Sequence, residues 1–101
     1  MNKADMMKLF DYGYLATARI LDEADRLSDE QYMAGIPGIS HGSMHAPLSH
    51  MLAAETLWRQ RLFEGLSPTK LLSAQDFDGL ESLRAFWAME ELKMRDGLGS
   101  L

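Results

Sequence analysis

Apolar residues return every third or fourth position along three stretches of this 101-residue chain, and no stretch alternates apolar with polar residues between turn signals. The first pattern belongs to helices, in which each residue advances about 100° around the axis. The second would mark strands. The chain therefore reads as all-α, one domain over residues 1–101, with two connections marked by Gly and Pro between the helical stretches.

The first stretch covers about residues 3–27. Met6, Phe10, Leu21 and Ala24 share helical spacing, and Tyr14, Leu15, Ala18 and Leu27 widen the stripe. Gly13 lies inside it. A mid-helix glycine costs about 1 kcal/mol relative to alanine, and it leaves room for another helix to approach closely. Ser28 and Gln31 then fit a capping box, which predicts one short helical turn. "AGIPGISHG", from Ala34 to Gly42, is a loop signal. The second helix is expected over about 44–64, with Ser43 as a cap and Gly65 as its terminator. Pro47 constrains its start, because a proline ring clashes beyond the first turn. A start nearer Ala46 would put Pro47 at the favoured first position. The third helix is expected over about 79–96, with Leu80, Leu83, Trp87 and Met94 on one face and an end at Gly97.

On the second helix, Met44, Leu48, Met51, Glu55, Trp58 and Leu62 fall within one narrow arc. Glu55 thus interrupts an apolar stripe, and a buried carboxylate needs an Arg, Tyr or Trp partner. Trp58, Trp87 and the methionines are expected in the core or at an interface. All three histidines lie close together, at 41, 45 and 50. His41 and His45 read as exposed loop residues. His50 lies about 100° from the centre of the arc and is expected to be buried or half-buried, as a hydrogen-bonded core residue or a ligand. The three cannot form a self-contained metal site. His41 sits in the loop, and His45 and His50, five residues apart, point about 140° away from each other.

The remaining composition excludes several function classes. The net charge of −5, with one tight basic cluster at Arg59-Gln60-Arg61, argues against nucleic acid as a partner. No apolar run approaches the ~20 residues that cross a membrane. The absence of cysteine excludes disulfides, thiolate zinc sites and a cysteine nucleophile, and suits the reducing cytoplasm in which the protein is expected. Phosphate-loop, dinucleotide and serine-hydrolase motifs are absent, and Asp22, Glu23 and Asp25 read as a solvated acidic face.

Two segments carry a family likeness. In "LFDYGYLATARILDEADRLSDEQY", Leu9, Phe10, Tyr12, Ala16 and Leu27-Ser28-Asp29-Glu30 fall in a characteristic order. In "HGSMHAPLSHMLAAETLW", Gly42, Ser43, Leu48, His50, Glu55 and Trp58 do the same. Together they resemble the N-terminal half of the DinB-like (damage-inducible, YfiT-like) helical-bundle family, and "FDGLESLRAFWAMEELKMR" fits in position and character. One departure is Leu15, where relatives often carry an aromatic residue. The resemblance implies a four-helix bundle of which this chain holds three main helices. It also implies a divalent nickel or zinc ion bound by three histidines, with His50 at the position of the first, and a thiol-dependent transferase or hydrolase-like chemistry on a small-molecule substrate. The other two histidines would lie on a later helix that the chain does not contain. A catalytically incomplete, self-associating protein is therefore expected. Its homodimer would cover the fourth-helix face with Met and Trp side chains of the second and third helices at the contact. Any metal site would then be completed around His50 either by another copy or by residues of a longer chain of which this is a fragment.

Overall fold

The structure, a computed structural model, describes residues 2–35 and 43–101. The expected loop at 34–42, including His41, lies mostly outside the described residues. Among those described there is no strand. Helix α1 runs Lys3–Asp25, the short α2 Asp29–Met33, α3 His45–Arg59 and α4 Leu80–Gly99. A single π turn, Gln60–Glu64, extends α3, and a 3₁₀ turn at Ala74–Asp76 interrupts the second connection.

Local chemistry sets most of these boundaries. The Asn2 side chain accepts the Asp5 N–H at 2.9 Å and opens α1. The capping box is formed: Ser28 Oγ accepts the Gln31 N–H at 3.1 Å, and Gln31 Oε1 accepts the Ser28 N–H at 2.9 Å. Gly65, at φ 64°, ends the π turn in the left-handed conformation that favours glycine.

Pro47 proves to be the third residue of α3. The first N–H bonded within the helix is that of Leu48, to the Met44 carbonyl, so the proline gives up no helical hydrogen bond. The carbonyl its ring would strike belongs to Ser43, outside the helix. The expected stop at Gly97 is corrected, because α4 continues to Gly99. Gly97 instead serves packing. A Cβ there would lie 2.7–3.0 Å from ring atoms of Phe63.

Helix α4 is the central strut and packs on both α1 and α3. The main core gathers Leu21, Tyr32, Leu48, Leu52, Phe77, Leu83 and Trp87, with Met44, Leu72 and Leu80 around it. Leu52 and Leu83 have no exposed surface, and burying each contributes roughly 1.5–3 kcal/mol.

The buried face of α3 is not the one its apolar stripe predicts. His45, Leu48, Ser49, Leu52, Ala53, Thr56 and Arg59 are buried, whereas Met51, Trp58 and Leu62 are exposed. The inward face is thus rotated by about 100° from the centre of the stripe. Small side chains at Ser49, Ala53 and Thr56 occupy that face. Arg59 is tolerated there because its guanidinium is paired: Nε donates to Glu90, itself 3% exposed, and Nη1 donates to Glu64 at 2.8 Å. The last pair spans five residues, the repeat of the π turn in which Glu64 lies.

The molecule is more open than its mass requires. Its accessible surface is 6902 Å². A compact monomer of 11.4 kDa would expose about 5,800 Å². Its radius of gyration is 14.7 Å, against about 12.7 Å for a compact chain of this length.

Candidate functional site

One open region of the surface lies between α1 and α3. A cavity of about 450 Å³ lies there, walled by Leu9, Gly13, Ala16 and Ile20 of α1 and by Met51 and Glu55 of α3, with Met94 of α4 also lining it. A second cavity of about 320 Å³ shares Ile20 with it and continues past Arg19, Glu23, Ala24 and Leu27 to Met44. Together they form a furrow. From Leu9 to Ala24 it follows about 22 Å of helix.

Both walls carry the spacing of a helix-packing seam. Leu9, Gly13, Ala16 and Ile20 follow steps of four, three and four residues. Met44, Leu48, Met51, Glu55 and Trp58 follow the same alternation, and Leu62 continues it into the π turn. Leu9 is 58% exposed and Trp58 is 56% exposed. The expectation of a core position for Trp58 is therefore corrected, while Trp87 is buried as expected.

Glu55 is the polar member of the α3 seam, and it has the kind of partner its position demands. The Trp87 indole N–H donates to Glu55 Oε2 at 2.8 Å. Burial raises the Glu55 carboxyl above the usual carboxylate range. The indole bond opposes that shift, and the negative charges of Glu90 and Glu91 add to it. Tyr14, across the furrow on α1, is also held above its ordinary value. The causes are burial first and then Glu55 and Glu91, with the Arg95 guanidinium, 5.0 Å from the ring centre, acting the other way. The site is an apolar trough with one weakened acid and one neutral phenol at its middle.

The histidines fall otherwise than the sequence suggests. His45, expected to be exposed, is 2% exposed inside the first turn of α3. Its Nε2 lies 2.8 Å from the Ala74 carbonyl and 3.1 Å from that of Phe77, and its Nδ1 lies 2.8 Å from the Tyr32 hydroxyl. Carbonyls only accept, so Nε2 carries the proton. In the neutral ring Nδ1 then accepts from Tyr32. Burial pushes the Tyr32 hydroxyl up to about 12, which keeps it a donor. His45 thus ties α2, α3 and the 3₁₀ turn together. Sequence reasoning misses it because its partners are 13, 29 and 32 positions away.

His50, expected to be buried or half-buried, is exposed, and it lies well away from the furrow arc on α3. No group of three or more His, Cys, Asp or Glu side chains able to hold a metal ion gathers among the described residues. A zinc site takes three or four ligands, so the described residues of one chain do not by themselves fit a nickel or zinc ion. Asp22, Glu23 and Asp25 are exposed as expected, and Asp22 pairs with Arg84 at 3.0 Å. No described helix is long and apolar enough to cross a membrane.

Comparison with known proteins adds no relative: no family model matches the chain, and no curated protein or solved structure is similar to it.

Proposed function

We propose that the chain is a DinB-like helical domain that works through self-association, with the furrow between α1 and α3 filled by a second copy. The carrying observation is the pair of seams along an unfilled furrow. Each wall has the four-three spacing that packs against another helix, and above the floor that Met94 of α4 provides no described helix of the chain fills the space between them. The molecule as a whole exposes about 1,100 Å² more than a compact monomer of its mass, and one partner in a standard interface gives up about 800 Å². The order of motifs around Leu9, Phe10, Tyr12, His50, Glu55 and Trp58 supports the family reading.

A catalytic role depends on the same association. His50 is exposed on α3 and lies off the furrow arc, so a divalent nickel or zinc ion held there would need further ligands from a copy that reaches beyond the furrow. Thiol-dependent transfer or hydrolysis of a small molecule would follow only with such a shared ion.

Sedimentation velocity over a micromolar concentration series, with and without nickel or zinc, tests both readings. A concentration-dependent dimer supports self-association, and its tightening by metal in the wild type but not in His50→Ala supports the shared ion. A compact monomer at every concentration overturns the proposal.

A further inference from the structure

Glu55 stands at the middle of a seam that is otherwise apolar, and this sets a condition on whatever fills the furrow. Its Oε2 is satisfied by Trp87. Its Oε1 has no protein donor among the described residues. The charged and titratable groups around it are Tyr14 on α1, Glu90 and Glu91 on α4, and the Arg95 guanidinium over the Tyr14 ring. Neither nearby cation is free. Arg59 is bonded to Glu90 and Glu64, and Arg95 to Asp11 and Glu91. On a second copy the seam residues Leu9, Gly13, Ala16, Ile20, Met51 and Trp58 are uncharged; its nearest cations are Arg19, in the lining of the second cavity, and Arg61, 5.6 Å over the Trp58 ring, and neither lines the cavity that holds Glu55.

Resting on the self-association reading, we propose that Glu55 is the proton-linked position of the interface: docking of the second copy removes water from its carboxylate, the carboxyl takes up a proton, and the protonated group fixes the register of the seam. A single polar group in an apolar seam commonly sets register at a cost in stability. The sign follows from linkage. Docking adds burial to a group that burial already raises, so the docked form binds the proton at higher pH than the free form. Association is then tighter on the acid side and weakens as pH rises through the interval between the two values.

The test is the dimer dissociation constant of the full chain, measured by sedimentation equilibrium between about pH 7.5 and about pH 5.5, for wild type and Glu55→Gln. Uptake of about half a proton per dimer over that interval makes the wild type about tenfold tighter at the acid end. Glu55→Gln keeps an oxygen for Trp87, so it should bind at neutral pH at least as tightly as the acid wild type and show little slope. A flat wild-type profile, a slope that persists in Glu55→Gln, or weakening toward acid pH would overturn the inference while leaving self-association standing. The last outcome would show that Glu55 meets a cation instead. Monomer at every pH would overturn the self-association reading itself.

Discussion

Where α2 and the 3₁₀ turn cover the start of α3, His45 is 2% exposed and both ring nitrogens are bonded. At the furrow farther along the same helix, Glu55 has one oxygen bonded, and Leu9 on the opposite wall is 58% exposed. The first region buries polar groups because each has a partner from another segment, so the corner closes on itself. The second offers apolar walls and one acid with nothing to complete them. Closure at this corner is therefore decided by whether partners are at hand; farther along the inward face of α3, Ser49 Oγ and Thr56 Oγ1 are buried without a hydrogen-bond partner among the described residues. The polar, small-residue face of α3 is inside, and its methionine and tryptophan face is outside.

The comparison is broken most forcefully at the closed corner. His45→Ala leaves the Tyr32 hydroxyl and the Ala74 and Phe77 carbonyls without a partner and opens a void. It should lower stability by about 2–4 kcal/mol. Urea unfolding followed by circular dichroism reads the loss. The matched His50→Ala, on an exposed surface, should cost clearly less than His45→Ala. Equal losses at the two histidines would dissolve the contrast.

The glycines give a smaller and two-signed test. Within one chain Gly13 has nothing within 4 Å of an added Cβ, so Gly13→Ala should gain about 1 kcal/mol of helix propensity in the monomer, read at concentrations below the dimer dissociation constant. In a chain of this size that is a rise of about 4–8 °C in Tm. The Phe63 ring occupies the space at Gly97, so Gly97→Ala should lose about 1 kcal/mol or more on balance, because overpacking exceeds the propensity gain. Thermal melts of the two variants should move in opposite directions.

Local signals are legible in the amino-acid order. Ser28 with Gln31, Gly65 as a terminator and the three long helices follow from rules that act within a few residues of each other. The need of Glu55 for an aromatic or basic partner is legible too, and Trp87 answers it. What escapes is decided at a distance. The most apolar arc of α3 points to Met51 and Trp58, but the face turned inward carries Ser49, Ala53 and Thr56, and Glu90 of α4 neutralises Arg59 there. Nothing near His45 announces Tyr32 or Phe77. The role of Gly97 is set by Phe63, 34 positions earlier, whereas a local rule reads it as a stop.

The central claim, that the furrow seats a second copy, is tested most directly by placing one charge at two leucines of similar exposure. Leu9 in the furrow is 58% exposed, and Leu92 on the outer face of α4 is 62% exposed. Sedimentation equilibrium of Leu9→Glu should show a dimer weakened at least about tenfold, because a charge would be buried in an apolar seam. Leu92→Glu should remain within about twofold of the wild type, because its side chain stays in water. Equal behaviour of the two variants, or a wild type that is monomeric throughout, would contradict the account.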